Sequence, residues 1–549
     1  METLTLALIV LAAIVVSTVI ERLFPFAMPA PLIQTVLGVL ISLTTPFTIE
    51  LEPHLFFLLF IPPLLFLDGW RIPNEELLKD KAIIVSLALG LVICTVLGAG
   101  LFINWMIPSM PLGVAFALAA IVSPTDPVAV SAIASKTPVP KKIMHILEGE
   151  SLLNDASGLV AMKFAVAAVL TGTFSLVDAS ETFAWLAIAG IVAGVATTLV
   201  INFSKSMITR RLGHNTGAQI LTSILIPFVA YMIAEHIHAS GILAAVASGI
   251  TMSVAEHSDR DLAITRIHRK AVWDAIYFTA SGATFILLGE QLPRLISSAA
   301  DIVQETGHRD PLWIIFYVVA ITAVLALARF IWVKISLLLT LANARRRGQA
   351  KEWQTWRMTA VLTLAGARGT ITLAGIMTLP FLLPDGSPFP ARDLGILLAA
   401  GVILVSLVAA SIALPVLLPK LQLDESGDRE ARVDRAQVLS AEAAIRAVEN
   451  SVVSVQDTID EDIWTRQSLQ ILDFYRNRLE EKTVSGGDVE DSARARLARA
   501  ALLKVAITAE REEIFRLARA RQLPDDAARK LIKDIDLFET RFLGGDHHH

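Results

Sequence analysis

The first 420 residues are apolar runs separated by short polar loops, and each run is close to the length that crosses a bilayer as a helix. About 20 mostly apolar residues are enough to span the hydrocarbon layer. Lipid offers no water to a bare N–H or C=O, so each run has to satisfy its backbone internally, which a helix does. About thirteen runs meet the requirement. They centre near Val10, Gly38, Leu59, Leu91, Ile121, Val160, Ile191, Ile226, Val246, Ala280, Ile321, Leu373 and Leu404. The expected fold class is therefore an all-α polytopic membrane protein. The N-terminus has no basic region and no small-residue cleavage pattern, so the first run is expected to stay as a membrane helix.

The loops give these runs a direction. Basic residues follow alternate runs: Arg71/Lys79/Lys81, Lys136/Lys141/Lys142, Lys205/Arg210/Arg211, Arg260/Arg266/Arg269/Lys270 and Arg345/Arg346/Arg347/Lys351. The intervening loops carry Glu50/Glu52, Asp178/Glu181 and Asp385/Asp393 instead. Cytoplasmic loops are the ones enriched in Lys and Arg. The alternation places the N-terminus outside and the C-terminus in the cytoplasm, which requires an odd number of spans.

Charge separates a second region. Of 99 Asp, Glu, Lys and Arg residues, 46 lie in the last 129 positions. Residues 421–546 read as a soluble, cytoplasmic helical domain, broken at Gly486-Gly487 and at Pro524-Asp525-Asp526. Leu503, Ile507, Ile514 and Leu517 fall on one helical face, suited to packing on itself or on a second copy. A regulatory ligand is the alternative use of this tail. Residues 547–549 look like a tag remnant. No basic stripe suggests nucleic acid. The single cysteine, Cys94, excludes a disulfide framework, and within an apolar run it reads as a small buried hydrophobe.

Ionisable residues inside spans are costly and mark function. In the fifth run, Pro124 and Pro127 flank Thr125-Asp126. Each proline removes a backbone donor and disfavours helix at the residue before it. Thr125 and Asp126 are therefore expected in an unwound stretch whose freed carbonyls can coordinate a cation. The sixth run opens Glu150-Ser151-Leu152-Leu153-Asn154-Asp155. On a helix Ser151 and Asp155 share one face and Glu150 and Asn154 another, with Glu150 about 140° from Asp155. That geometry argues against a carboxylate dyad. It leaves Asp155 and Ser151 as an oxygen-rich face for a dehydrated alkali cation. In the twelfth run, Gly366-Ala367-Arg368-Gly369 suggests a second interrupted helix. A buried Arg368 should meet a carboxylate, with Glu150 the first choice and Asp126 the second. Asp68 closes the third run, either paired with Arg71 or standing in the cation path. His236 and His238 read as interfacial.

Together, Ser123-Pro124-Thr125-Asp126-Pro127, Glu150-Ser151-Leu152-Leu153-Asn154-Asp155 and Gly366-Ala367-Arg368-Gly369 resemble the signatures of the cation:proton antiporter-1 family, the sodium/proton exchangers. Pro62-Pro63-Leu64-Leu65-Phe66, Tyr231–Glu235 with Ser240–Leu243, and Gly282–Gly289 support the likeness in the family's order, and the likeness covers about residues 5–420. The resemblance implies thirteen spans in inverted repeats, with interrupted spans five and twelve crossing at the site. It implies a homodimer in the cell membrane and no cofactor. Na⁺ or H⁺ would bind at Asp155, with Ser151, Thr125, Asp126 and Asn154 around it, and Glu150 with Arg368 would form a structural ion pair. Asn154 before Asp155 resembles the electroneutral, one-for-one type. Relatives often carry Glu where this chain has Leu67, and Asp68 comes one residue later. The implied activity is Na⁺/H⁺ exchange by alternating access, serving pH and sodium homeostasis, with Li⁺ or K⁺ as alternative cations. A passive cation channel and a membrane-embedded aspartate enzyme are the readings from other classes. No acidic diphosphate motif or Gly-x-Gly-Asp pair supports the enzyme.

Overall fold

The computed structural model describes residues 2–23, 29–45, 53–71, 84–126, 141–171, 176–256, 263–305, 312–346 and 355–418, and within the tail 435, 438–448, 468–473, 475–476, 507–510, 512–514, 516–517, 531 and 535. All thirteen expected run centres fall in helices. These are α1 (Glu2–Leu23), α2 (Ala30–Thr44), α3 (Pro53–Arg71), α4 (Leu91–Met106), α5 (Leu112–Val122), α6 (Lys141–Thr171), α7 (Leu176–Leu212), α8 (Thr216–His236), α9 (Gly241–Glu256), α10 (Ala263–Glu305), α11 (Leu312–Arg346), α12 (Thr355–Leu364), α13 (Thr370–Ile376) and α14 (Arg392–Leu417). A π-helical turn, Ser86–Gly90, leads into α4. Among the described residues eight helices are long and apolar enough to cross a membrane, and three apolar helices are shorter.

Two interruptions stand where the prolines and glycines placed them. Helix α5 stops at Val122 and residues 123–126 are non-helical. The twelfth run splits into α12 and α13 around Ala365–Gly369. Several expected loop cations belong to helix ends, among them Arg210 and Arg211 in the last turn of α7. Arg266, Arg269 and Lys270 lie within α10, and Arg269 is buried with its guanidinium 5.6 Å from the Trp70 ring centroid. Lys79, Lys81, Lys136, Glu50, Glu52, Arg260, Arg347 and Lys351 lie outside the described residues.

The helices sort into two bundles by packing. In the first, α2 lies along α10 and α3 along α9, with α1, α7 and α8 around them. In the second, α4, α5 and α6 pack together beside α11, α12 and α14. In the first bundle the backbones touch at glycines. A Cβ on Gly38 would lie 2.9 Å from the Gly289 Cα, and one on Gly249 would lie 3.0 Å from the Trp70 nitrogen. Between these helices Phe66, Leu67, Ile226, Met252 and Trp273 form a buried cluster, and the Trp273 indole donates to Ser223 Oγ at 3.1 Å.

Large apolar side chains also cover the outside, for example Leu4, Leu8, Leu11, Val15 and Val19 on α1. Cys94 belongs to such a face. It is exposed beside Ile93 and Leu97, which corrects its expected burial. An apolar run in a membrane protein has two apolar destinations, the interior and the lipid, and run composition alone does not separate them.

By contacts the chain divides into residues 1–422 and 423–549. The described tail residues are helical, and Ile507 and Ile514 are buried in them while Leu517 is half-buried. Leu503, Gly486-Gly487 and Pro524–Asp526 lie outside the described residues, as does the terminal tag remnant.

Candidate functional site: a crossing of two interrupted helices

The two breaks meet. The Asp126 N–H donates to the Ala367 carbonyl at 2.7 Å, and the Asp126 carboxylate accepts from the Thr370 N–H at 3.2 Å, at the start of α13. Gly369 makes this approach feasible, because a Cβ there would run into the Asp126 side chain. Each break frees carbonyls at a helix end that need donors. Two arginines supply them.

Arg368 donates through Nε to the Val122 carbonyl at 3.0 Å and through Nη1 to the Gly366 carbonyl at 3.1 Å. It therefore caps the end of α5 and the loop after α12. Its backbone N–H donates to Ser406 Oγ on α14 at 3.1 Å. The expected ion pair of Arg368 with Glu150 is not made, nor is the alternative with Asp126. The carbonyl-rich, electronegative helix ends take the guanidinium instead.

Glu150 pairs instead with Arg329 of α11, an arginine not among the expected site residues. Arg329 Nη1 bonds Glu150 Oε1, and Nη2 bonds Oε2 at 2.8 Å, with both side chains buried. Arg329 Nε also donates to the Leu362 carbonyl at 2.9 Å, capping α12. Gly366 lets it pass, since a Cβ there would strike the guanidinium. The signal was available, because Arg329 is an arginine inside an apolar run, as Arg368 is.

Around this pair the expected site residues divide into two groups. Thr125 Oγ1 donates to Glu150 Oε1 at 3.3 Å and accepts from Asn154 Nδ2 at 3.0 Å. Asn154 also reaches Glu150 Oε1 at 3.5 Å, while its own Oδ1 is buried without a partner. Thr125, Asn154 and Glu150 thus form one network. Ser151 and Asp155 face the other way, as the helical spacing requires. Ser151 Oγ donates to Asp155 Oδ2 at 3.4 Å, and both residues are buried. Asp68 and Asp126 lie within electrostatic range of Asp155, and so does the Tyr277 hydroxyl of α10. Asp68 does not pair with Arg71, whose Nη2 meets Asp274 Oδ1 at 2.5 Å.

Further hydrogen bonds hold α6 in place. Ser157 Oγ donates to the Ala88 carbonyl of the π turn at 2.8 Å, and the Trp332 indole donates to the Ser86 carbonyl at 3.0 Å. The longer turn exposes carbonyls that these side chains satisfy. Ser281 of α10 and Thr370 of α13 share a hydrogen bond of 2.9 Å.

Interrupted helices that cross beside a buried carboxylate, in a bundle of apolar helices, define a secondary-transporter fold. The chain belongs to the sodium/hydrogen exchanger family, whose transmembrane profile matches residues 7–420. A protein of Escherichia coli (strain K12) described as an uncharacterized Na(+)/H(+) exchanger, YjcE, is 38% identical over 99% of each chain. The sodium, potassium, lithium and rubidium/H(+) antiporter of Bacillus pumilus is 42% identical over 87% of this chain and 69% of its own. The sodium proton antiporter MjNhaP1 of Methanocaldococcus jannaschii, solved at pH 8, shares the fold. Its TM-score is 0.57 at 18% identity, and the match covers 77% of this chain and 99% of that one. The protein is an integral, multi-pass membrane transporter and not an enzyme, which removes the aspartate-enzyme reading.

Proposed function

We propose that this chain exchanges Na⁺ for H⁺ one for one by alternating access, with Asp155 as the carboxylate both ions occupy in turn. One observation carries the reading. Glu150 has donors on both oxygens, whereas Asp155 is buried with Ser151 as its single hydrogen-bond donor among the described residues. A buried carboxylate with spare acceptor capacity suits a proton or a hard cation, and hard cations take carboxylate, hydroxyl and carbonyl oxygens. Na⁺ would sit at Asp155 and Ser151, with Thr125, whose hydroxyl is taken by Glu150 and Asn154, contributing its carbonyl from the non-helical stretch. Asp126 and Asp68 would draw the cation in. Asn154 contributes by being neutral, since its amide holds Thr125 and adds no second acid beside Asp155. Glu150 and Arg329 form the structural ion pair, and Arg368 secures the crossing.

Coupling follows from one site with two competing ligands. Ionised, empty Asp155 is a bare charge that is expensive to move past apolar helices, so only the loaded forms change sides. Li⁺ and K⁺ fit the same ligand chemistry, in keeping with the broad cation range in the name of the Bacillus pumilus relative. We place the protein in the cell membrane as a homodimer, with its N-terminus outside. The helical domain of residues 421–546 lies in the cytoplasm, where it self-associates or takes a regulatory ligand. Exchange of this kind serves pH and sodium homeostasis.

The test is transport in proteoliposomes, with Na⁺, Li⁺ and K⁺ set against an imposed pH gradient and the voltage clamped by valinomycin. The wild type is expected to move protons in response to Na⁺ at any clamped voltage. Asp155→Asn is expected to abolish this while the protein melts normally. Sodium-driven proton flux persisting in Asp155→Asn would overturn the site. Flux indifferent to the pH gradient would favour a passive channel.

A further inference from the structure

Asp68 and Arg71 are three residues apart on α3, the spacing at which helix neighbours of opposite charge meet. An arginine that settled on Asp68 would neutralise one acid of the Asp68, Asp126 and Asp155 group and block it with a side chain. The structure avoids this. Arg71 reaches across to α10, where its Nη2 meets Asp274 Oδ1 at 2.5 Å and its guanidinium carbon lies 4.9 Å from the Tyr277 ring centroid. Asp274 and Tyr277 are themselves three apart, so one face of α10 presents a carboxylate and a ring face to the same guanidinium. A charge-assisted hydrogen bond and a cation–π contact hold it from two directions. Arg71 and Asp274 are half-exposed, at 45% and 47%. Asp68 makes no ion pair among the described residues, yet Arg71 stays within electrostatic range of it.

We infer that Asp274 and Tyr277 clamp the Arg71 cation away from Asp68, keeping the acidic approach to Asp155 open to the transported cation. Asp274 and Tyr277 are positioning residues in this scheme. The scheme rests on the exchange reading above and adds a competitor for the cation that the protein carries in its own chain. Without the clamp Arg71 swings one turn back to Asp68. Only molecules with Asp68 uncovered are then competent, and the apparent affinity for Na⁺ falls by that fraction. Turnover of a loaded site is untouched, because Ser151, Asp155 and the crossing do not change.

The experiment uses the full chain in proteoliposomes and measures the Na⁺ dependence of coupled proton flux, with melting temperature as a check on folding. Asp274→Asn is expected to raise the half-saturating Na⁺ concentration about fivefold, the scale of one half-exposed ion pair, with maximal flux retained. Asp274→Glu should stay near the wild type. Arg71→Met alone should leave half-saturation at the wild-type value. The double variant Arg71→Met with Asp274→Asn should return to it, because no cation is left to fall on Asp68.

A half-saturation unchanged in Asp274→Asn overturns the clamp. So does a double variant as weak as Asp274→Asn, which would make Asp274 itself the attractant. A matched fall of maximal flux and melting temperature would mean a structural role only. If Asp274→Asn does not fold, Tyr277→Leu decides: a rise in half-saturation supports the clamp and no rise overturns it. Coupled exchange by the wild type with no effect of these variants refutes the clamp alone. A wild type without coupled exchange refutes the exchanger reading and the clamp with it.

Discussion

Arg329 and Glu150 lie 179 residues apart in sequence and meet in the interior with both guanidinium Nη atoms on both carboxylate oxygens. Arg368 lies in the same interior and is bonded to carbonyls alone, apart from its backbone contact with Ser406. The two arginines therefore respond differently to loss of the glutamate. Breaking a buried pair on one side strands the other charge, at about 3–5 kcal/mol. Glu150→Gln and Arg329→Met should each destabilise by that order, and the double variant should cost much less than their sum. In the cycle of Glu150→Gln with Arg368→Met, the two losses should nearly add. Melting in detergent measures both cycles, and a larger coupling for Arg368 than for Arg329 would contradict the arrangement.

Glycine tolerance gives a second contrast. A Cβ on Gly369 would displace the Asp126 carboxylate from the Thr370 N–H, while one on Gly98 would meet nothing within 4 Å. Gly369→Ala should cost about 1–3 kcal/mol by overpacking and lower exchange with it. Gly98→Ala, on an exposed helical face, should raise stability by up to about 1 kcal/mol. Paired thermal melts and flux assays decide, and equal behaviour of the two variants would count against the crossing as drawn.

The turn before α14 carries a pH signature. Asp385 Oδ1 accepts from the Ser387 hydroxyl at 2.6 Å and from the Ser387 N–H at 2.9 Å. These bonds, the hydroxyl first, hold the Asp385 carboxyl below its ordinary value. A carboxyl depressed in the fold contributes fully above the unfolded pKa, and its contribution is lost as pH falls through the folded one. The turn should thus stay ordered at neutral pH and loosen only below the usual aspartate range. Ser387→Ala should move the Asp385 titration upward, as carboxylate carbon NMR in micelles would register. An unmoved titration would show that the backbone bond suffices.

Much of this was readable in the chain. Proline on both sides of Thr125-Asp126 and glycine around Arg368 placed the two breaks, because both residue types act on the local backbone wherever they stand. The common face of Ser151 and Asp155 followed from helical geometry in the same way. Partner choice was less legible. Arg368 was matched with the carboxylate the sequence offered, but carbonyls at helix ends are created by the breaks and carry no residue letter. Arg329 has no proline, glycine or carboxylate beside it in its run to mark it as a partner, and only the fold brings Glu150 to it. The turn at Ser86–Gly90 has no marker among Ser, Leu, Ala and Gly, and the Ser157 and Trp332 side chains that bond its carbonyls come from distant helices.

The glycine contacts of Gly38 with Gly289 and Gly69 with Gly249 bear on speed. Backbones seated this closely cannot slip without losing their dispersion contacts together, so those pairs form a stiff frame. In the alternating-access cycle proposed above, movement would be left to surfaces separated by side chains, where α6 meets α9 and α14 meets α10. The bundle that holds Asp155 would then travel as one piece and push aside the lipid around it. On the exchange cycle proposed above, the bilayer's viscosity and thickness would thereby enter the turnover rate, making the surrounding fat a kinetic component of transport.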